Sequence, residues 1–260
     1  MALAFSSTAR VGVGTPLGAS PTVFSQLVWI YPTSITSTVF PRVTAQGDPS
    51  GFMHLVAPGK FGSGQIQCAI EYTPTTAVAR TNDAALSVDT WQCVGFTFDG
   101  VTAPNFYTGT LDSAMANISS GVGYAVQTAP GGTRTSDGGD SFFIGNDEAG
   151  TLPFPGRIAV VAVWDRVLSL TELRQAQRGH FFSGTGLKLL MFPGYDGTGT
   201  QTDFSGQVNH GTISGTPTVV AHVPLVNPFA WHQEGDAYEV AAAGLSIPVA
   251  YHHYQNQGCI

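Results

Sequence analysis

The chain has 260 residues, of which 43% are hydrophobic and only 10% are charged, well under half of the ~25% typical of soluble domains. Its 17 acidic and 10 basic residues give a net charge of −7 without any basic run, which excludes sequence-independent binding to nucleic acid. No apolar stretch approaches the ~18 residues that cross a bilayer, so we expect no membrane partner. Residues 1–14 lack a cationic region ahead of an apolar one, and we expect no secretory signal.

Short β-strands dominate the expected secondary structure of the first 165 positions. Apolar residues alternate with polar ones in segments that Gly and Pro separate, a pattern typical of sandwiches and jelly rolls. In residues 65–72 the alternation places Ile66, Cys68 and Ile70 on one face. The predicted strands, after strand-like starts near residues 3–5 and 11–13, are 23–31, 65–72, 91–98, 105–109, 141–145 and 156–164.

The three cysteines do not form a recognisable framework. Cys68 and Cys93 lie in apolar alternating runs and are expected in the core, while Cys259 has no assigned role. No C-x-x-C pair is present, so neither a zinc site nor a disulfide scaffold is expected. We expect synthesis in a reducing cytoplasm.

One helix is predicted over residues 169–177. Ser169 and Glu172 form the S-x-x-E capping box, in which each side chain satisfies a free backbone donor of the other residue. Leu170 and Leu173 give the helix a short apolar face, and Gly179 ends it.

Beyond residue 182 the composition changes. Residues 187–192 read as a strand, and residues 195–212 are rich in turns whose Asp196 and Asp203 we assign to turn chemistry. Residues 183–222 either complete the domain or form a satellite hairpin. We predict completion, with 187–192 pairing with the N-terminal part of the sheet, so that one domain spans residues 1–222.

The last segment, residues 223–260, is predicted to be an extended C-terminal arm. It contains Pro224, Pro228 and Pro248 and shows no helical or strand periodicity. Its aromatic residues are candidate anchors on a partner, and Trp231 is the best suited of them. The predicted partner-binding residues are Phe229, Trp231, Tyr238, Tyr251 and Tyr254.

Several of these segments resemble the laminin G-like and pentraxin-like branch of the concanavalin A-type jelly rolls. Residues 28–32 look like the family's Trp-centred second strand, and residues 89–100 are similar to its W-x-x-v-x-x-t-y-D-G segment. Residues 154–173 resemble f-x-G-x-I-x-x-v-x-v-w-x-r-x-L-s-x-x-E-i, the most specific of the matches. The resemblance covers about residues 1–180, and residues 187–215 look like a segment that often borders such domains. It implies an all-β, concanavalin A-like (laminin G-like) jelly-roll sandwich with one short helix.

The resemblance also implies a calcium site. Pentraxin-like relatives bind calcium in the loop that corresponds to Asn146, Asp147 and Glu148, and these residue types suit a cation that needs six to eight oxygen ligands. A further acid would have to come from elsewhere, with Asp48 and Asp140 as candidates. A solvated acidic turn explains the same residues.

Enzymatic relatives of this fold are glucanases, whose catalytic carboxylates alternate on one strand as E-x-D-x-E. No such run occurs in this sequence, and the G-x-S-x-G, H-E-x-x-H and P-loop patterns are also missing. We therefore expect no enzyme activity, which disfavours a glycoside hydrolase or lyase.

Two non-enzymatic functions remain. The first is a virion structural protein, a bacteriophage capsid decoration, head-surface or tail component that contacts other virion proteins or copies of itself. The second is a calcium-assisted lectin, extracellular or at a cell surface, that binds a host glycan through exposed Tyr124, Asp147 and Glu148. Trp29, Trp91 and Trp164 lie in apolar strands and are expected in the core.

Overall fold

Two antiparallel β-sheets stack face to face in the computed structural model of the protein. The structure describes residues 1–223 except 19, 37–38, 48–52, 57–62, 137–138 and 182–185, and for 53–56 it describes the backbone alone. The arm residues Phe229, Trp231, Tyr238, Tyr251 and Tyr254, together with Cys259, lie outside the described residues. Within the described part, no helix is both long and apolar enough to span a membrane.

The strands are short and follow the alternation of the sequence. In chain order they are β1 (Ala2–Phe5), β2 (Arg10–Val13), β3 (Phe24–Pro32), β4 (Arg42–Gln46), β5 (Met53–Val56), β6 (Gln67–Ile70), β7 (Tyr72–Thr75), β8 (Ala77–Thr81), β9 (Gln92–Phe98), β10 (Asn105–Thr110), β11 (Ala116–Asn117), β12 (Tyr124–Thr128), β13 (Gly131–Arg134), β14 (Phe142–Ile144), β15 (Gly156–Trp164), β16 (Leu187–Met191), β17 (Thr212–Ser214) and β18 (Thr218–Val220). A 3₁₀ turn (Ile118–Ser120) and one helix, α1 (Leu170–Gln177), complete the described elements.

Each main sheet contains eight strands. The first sheet has the order β11-β10-β9-β3-β15-β1-β18, with β16 paired to β15, and the second has the order β12-β8-β6-β5-β4-β14-β2-β17. Strands β7 and β13 form a separate ribbon. The predicted all-β jelly-roll sandwich with one short helix is confirmed.

A hydrophobic core fills the space between the two sheets. The inward positions of β3 alternate as the sequence predicts, and Phe24, Val28 and Ile30 are fully buried there. The predicted face of Ile66, Cys68 and Ile70 is also fully buried. Cys68 is therefore a core residue, as expected.

A second apolar layer covers part of the outer face of the first sheet. Leu27 and Cys93 are buried there together with Leu173 of α1 and Met115. The approach is close at Gly95, where an added Cβ would lie 2.9 Å from Met115 Cε. The helix thus covers one end of this face.

The predicted capping box is present in α1. Ser169 Oγ accepts a hydrogen bond from Glu172 N at 3.3 Å, while Glu172 Oε2 accepts one from Ser169 N at 2.8 Å. The chain leaves the helix through Gly179, whose φ is +89°. The helix prediction is confirmed.

The strands after the helix join both main sheets. Strand β16 pairs with β15, so the predicted ladder between residues 187–192 and the N-terminal part of the sheet is wrong. N-terminal pairing is made instead by β17 with β2 and by β18 with β1. The physical reason is that β1 occupies the edge of β15 only near Ile158, which leaves the edge beyond Val161 open for β16.

Candidate functional site

The acidic loop after β14 is built into the protein interior. Gly145 turns the chain there with a φ of +82°, and its missing side chain makes room for the ring of Phe5. Asn146 and Asp147 are fully buried. Asn146 Nδ2 donates to the carbonyl of Ser7 at 3.0 Å, which ties the loop to the chain segment after β1.

The oxygens of these two side chains are occupied by the loop itself. Asn146 Oδ1 accepts hydrogen bonds from the amides of Asp147 and Leu152. Asp147 Oδ1 accepts from the amides of Thr151 (2.5 Å) and Leu152 (3.0 Å), and Oδ2 accepts from Thr151 Oγ1 at 2.8 Å. Buried Arg42 adds a positive charge beside Asp147, and burial lowers the pKa of Arg42 to about 10 while Asp147 opposes that shift. The loop is thus held by its own hydrogen bonds.

This geometry changes how the acidic loop is interpreted. Asp147 was expected to be exposed for calcium or glycan and is instead buried, while Glu148 is exposed. Asp140 precedes β14 and therefore lies at the opposite end of that strand from the loop, and Asp48 lies outside the described residues. Within the described ranges, no three His, Cys, Asp or Glu side chains gather as a metal-ion cluster. A calcium ion at Asn146 and Asp147 would have to replace existing hydrogen bonds.

Tyr124 does not join this loop. It is half-buried, its hydroxyl accepts a 2.6 Å hydrogen bond from Phe106 N, and its ring stacks on Phe106. It lies on β12, five strand spacings of ~4.8 Å (about 24 Å) along the second sheet from β14. The predicted glycan pair of Tyr124 and Asp147 is therefore not brought together.

The second acidic region, around Asp203, forms a turn as predicted. Asp203 Oδ1 accepts hydrogen bonds from Leu190 N and Ser205 N, and its Oδ2 accepts from Ser205 Oγ and Asn209 N. Asp196 Oδ2 accepts a bond from Thr202 N at 2.8 Å. Asp203 thus fastens the segment after β16 to the first sheet, whereas Asp196 holds a turn within that segment.

A different set of side chains forms the candidate binding site. Trp91, Tyr31 and Arg157 lie side by side on the outer face of the first sheet, and we call these three residues the aromatic strip. Tyr31 is in register with Arg157 of the neighbouring strand, and the β3–β9 register that pairs Ile30 with Gln92 puts Trp91 beside Tyr31. All three side chains are half-buried.

Contacts between neighbours fix the geometry of the aromatic strip. The rings of Tyr31 and Trp91 meet edge to face, with centroids 5.4 Å apart. The Arg157 guanidinium carbon lies 4.6 Å from the centroid of the Tyr31 ring, a cation–π distance. Three adjacent strands therefore present two aromatic rings and one cation over two strand spacings, about 10 Å.

The expectation that all three tryptophans are core residues is only partly correct. Trp29 and Trp164 are 1% and 0% exposed, whereas Trp91 is half-buried. Trp91 lies two positions before Cys93, and the alternation of β9 puts both on the outer face. That alternation was readable in the sequence, but the sequence carried no signal that this end of the face lacks the helix.

The sequence that forms this sandwich matches a known family. A model of laminin G-type domains, described as the concanavalin A-like lectin/glucanases superfamily, matches residues 6–174. The chain belongs to this superfamily. No curated protein matches the sequence.

Comparison with solved structures finds similar chains at low sequence identity. A proposed carbohydrate-binding protein from Bacteroides ovatus ATCC 8483 is 20% identical with a TM-score of 0.58, and the match covers 86% of this chain and 61% of that one. The enzymatically active domain of tailspike protein 2 from bacteriophage CBA120 is 15% identical with a TM-score of 0.44, over 73% of this chain and 29% of that one. The chain thus spans less than two thirds of these structures.

Proposed function

We propose that this protein is a non-enzymatic, lectin-like module that binds a glycan on the aromatic strip. The observation that carries the proposal is the row of half-buried Trp91, Tyr31 and Arg157, in which Tyr31 of β3 lies between Arg157 of β15 and Trp91 just before β9. The partly exposed rings are held at fixed angles by their neighbours and give apolar surface that can contact the C–H groups of a sugar. Arg157 adds hydrogen-bond donors beside them.

The residues of the aromatic strip support recognition rather than hydrolysis. Glycosidases of the usual kind need two carboxyl groups flanking the scissile bond, and none of the three strip residues carries one. Asp147 and Asp203, which are buried, accept hydrogen bonds from their own turns. The likeness to the proposed carbohydrate-binding protein of Bacteroides ovatus supports the fold of such a module.

The test is a glycan array with variants of the aromatic strip. We expect Tyr31→Ala to abolish the signal of the wild-type protein and Tyr31→Phe to retain most of it, because phenylalanine keeps the ring. Tyr195→Ala is the matched control, since Tyr195 is 51% exposed and lies outside the strip. Thermal melting of every variant separates lost binding from lost folding. If Tyr31→Ala leaves the array signal intact, the glycan binds outside the aromatic strip. If the wild-type protein gives no signal, the proposed glycan binding is contradicted.

A role as a virion structural protein is a second proposal, in which the same module contacts other virion proteins or copies of itself. It is supported by the charged fraction of 10%, as expected for a surface that neighbours cover, and by the aromatic anchors predicted in residues 223–260. The test compares the solution mass of the full chain with that of a chain ending at Val223. An oligomer that the truncation converts to a monomer supports the proposal, and two monomers exclude self-association through that segment.

A further inference from the structure

We propose that the aromatic strip selects a glycan that carries a single carboxylate, such as a uronic or sialic acid, and that Arg157 binds this carboxylate. The inference rests on the proposed function and adds the class of sugar. It follows from the bonding state of Arg157, from its neighbours in the sheet and from the charges around the aromatic strip.

The guanidinium of Arg157 is held in position without a polar contact to the part of the chain that the structure describes. Its guanidinium lies over the ring of Tyr31, and among the described residues it forms neither a hydrogen bond nor an ion pair. The side chain is half-buried, so its stem is already partly ordered before any ligand binds. An ordered guanidinium with open donors is suited to bind a carboxylate through two parallel hydrogen bonds.

Three other cations near the first sheet have polar partners. Arg166 pairs with Glu172 at 2.7 Å, and Lys188 pairs with Asp165 at 2.9 Å. Arg174 donates to the carbonyl of Met115 at 2.8 Å. Arg157 differs from them because its guanidinium contacts an aromatic ring. Its N–H donors can therefore bind a ligand.

The neighbours of Arg157 indicate how a bound sugar would be oriented on the aromatic strip. On the β1 side its partner in register is the small residue Ala4, while the guanidinium lies on the opposite side, over Tyr31. The exposed Asp89, two residues before Trp91, donates its backbone N–H to the carbonyl of Pro32, the residue after Tyr31. Because Arg157 is the cation of the aromatic strip, we place the carboxylate of a bound sugar at Arg157 and the neutral part of the sugar against the exposed parts of Tyr31 and Trp91.

The overall charge restricts the number of negative groups on the ligand. With a net charge of −7, the protein repels a polyanion such as a highly sulfated chain. A single guanidinium balances a single carboxylate. This favours a monocarboxylated sugar over sulfated glycans, although both present oxygens that an arginine can bind.

The experiment compares each acidic oligosaccharide of a sialylated and uronic-acid panel with its neutral methyl ester. We expect the wild-type protein to bind the acids at least ~10-fold more tightly than the esters, because charge-assisted hydrogen bonds exceed the 1.4 kcal/mol that corresponds to a factor of ten. Arg157→Gln should lose that preference and still bind the esters through the rings. Arg157→Lys should retain part of it, because lysine keeps the charge without the planar fork.

Arg178→Gln is the matched control, since it removes an exposed positive charge just after α1. The proposed carboxylate specificity would be contradicted if acids and esters bind equally, or if Arg157→Gln keeps the preference for acids. It would also be contradicted if sulfated glycans bind more tightly than carboxylated ones. In each of these cases ring-dependent binding to Tyr31 and Trp91 persists and the proposed function survives. Absence of binding to every acid and every ester would contradict both.

Discussion

Gln26 Nε2 on β3 donates a 2.7 Å hydrogen bond to Thr44 Oγ1 on β4, and this bond joins the two main sheets through the hydrophobic core. Both residues are at most 1% exposed. A buried polar group is costly unless it is paired, so the bond favours the alignment in which these two positions face each other. The contact couples the sheet that carries the aromatic strip to the sheet that carries the acidic loop.

We predict a measurable coupling between these two residues. Thr44→Val should lower the free energy of unfolding by about 1–3 kcal/mol, because it leaves a buried amide group of Gln26 without its partner. A double-mutant cycle with Gln26→Leu, followed by urea unfolding, should give a coupling energy of about 1 kcal/mol. Additive effects of the two substitutions would show that the bond does not contribute to stability.

Glu172 should make the stability of the protein depend on acidity at low pH. The hydrogen bond from Arg166 is the main cause that lowers the pKa of Glu172 from 4.5 to about 2, and bonds from Ser169 assist it. Because the folded pKa lies below the unfolded one, this stabilisation is complete above about pH 4.5 and is lost as the pH falls toward 2.

The check is urea unfolding across that pH range for wild type and Arg166→Met. The variant should show a shallower loss of stability on acidification, since the main cause of the pKa shift is gone. Arg178→Met, at an exposed arginine just after α1, should follow the wild-type curve. Identical pH dependence of wild type and Arg166→Met would contradict the assignment.

Asp147 is predicted to stabilise the fold rather than bind a ligand. Asp147→Ala removes the acceptor of three hydrogen bonds and leaves Arg42 buried without this counter-charge, so it should cost about 2–4 kcal/mol of unfolding free energy. Glu148→Ala, at the exposed neighbour, should change it by less than about 0.5 kcal/mol.

A calcium titration of the same proteins separates the two interpretations of the loop. We expect calcium to leave the melting temperature of the wild-type protein unchanged, because ligands that bind only the folded state would raise it. A calcium-dependent rise that Asp147→Ala abolishes would restore the calcium site and show that the loop rearranges to bind the ion.

Gly109 should not tolerate a side chain. An added Cβ would lie 2.6 Å from Gln177 Nε2, which donates to the carbonyls of Thr110 and Ser113. Gly109→Ala should therefore lower the unfolding free energy by about 1–3 kcal/mol through overpacking and loss of these bonds. Gly14→Ala is the control, because nothing lies within 4 Å of its added Cβ, and equal effects of the two substitutions would contradict the prediction.

Local sequence determined the elements of this protein. The alternation in residues 92–98 and 156–164 is enough to form strands, because side chains on successive strand residues point to opposite faces. Ser169 and Glu172 begin the helix through contacts only three positions apart, which the sequence shows directly. The jelly roll then follows from short strands, turn residues and the family pattern.

The tertiary structure alone decided which side chains are accessible. Trp29 and Trp91 both lie on the outer face of the first sheet, yet Trp29 is 1% exposed and Trp91 is half-buried. Exposure depends on which distant element covers each row of a sheet, and α1 packs near Gly95, two rows from Trp91. Asp147 is buried for the same kind of reason, because its loop folds back on residues remote in sequence. Strand periodicity is a property of neighbouring residues, whereas the solvent exposure of a face is a property of the whole fold.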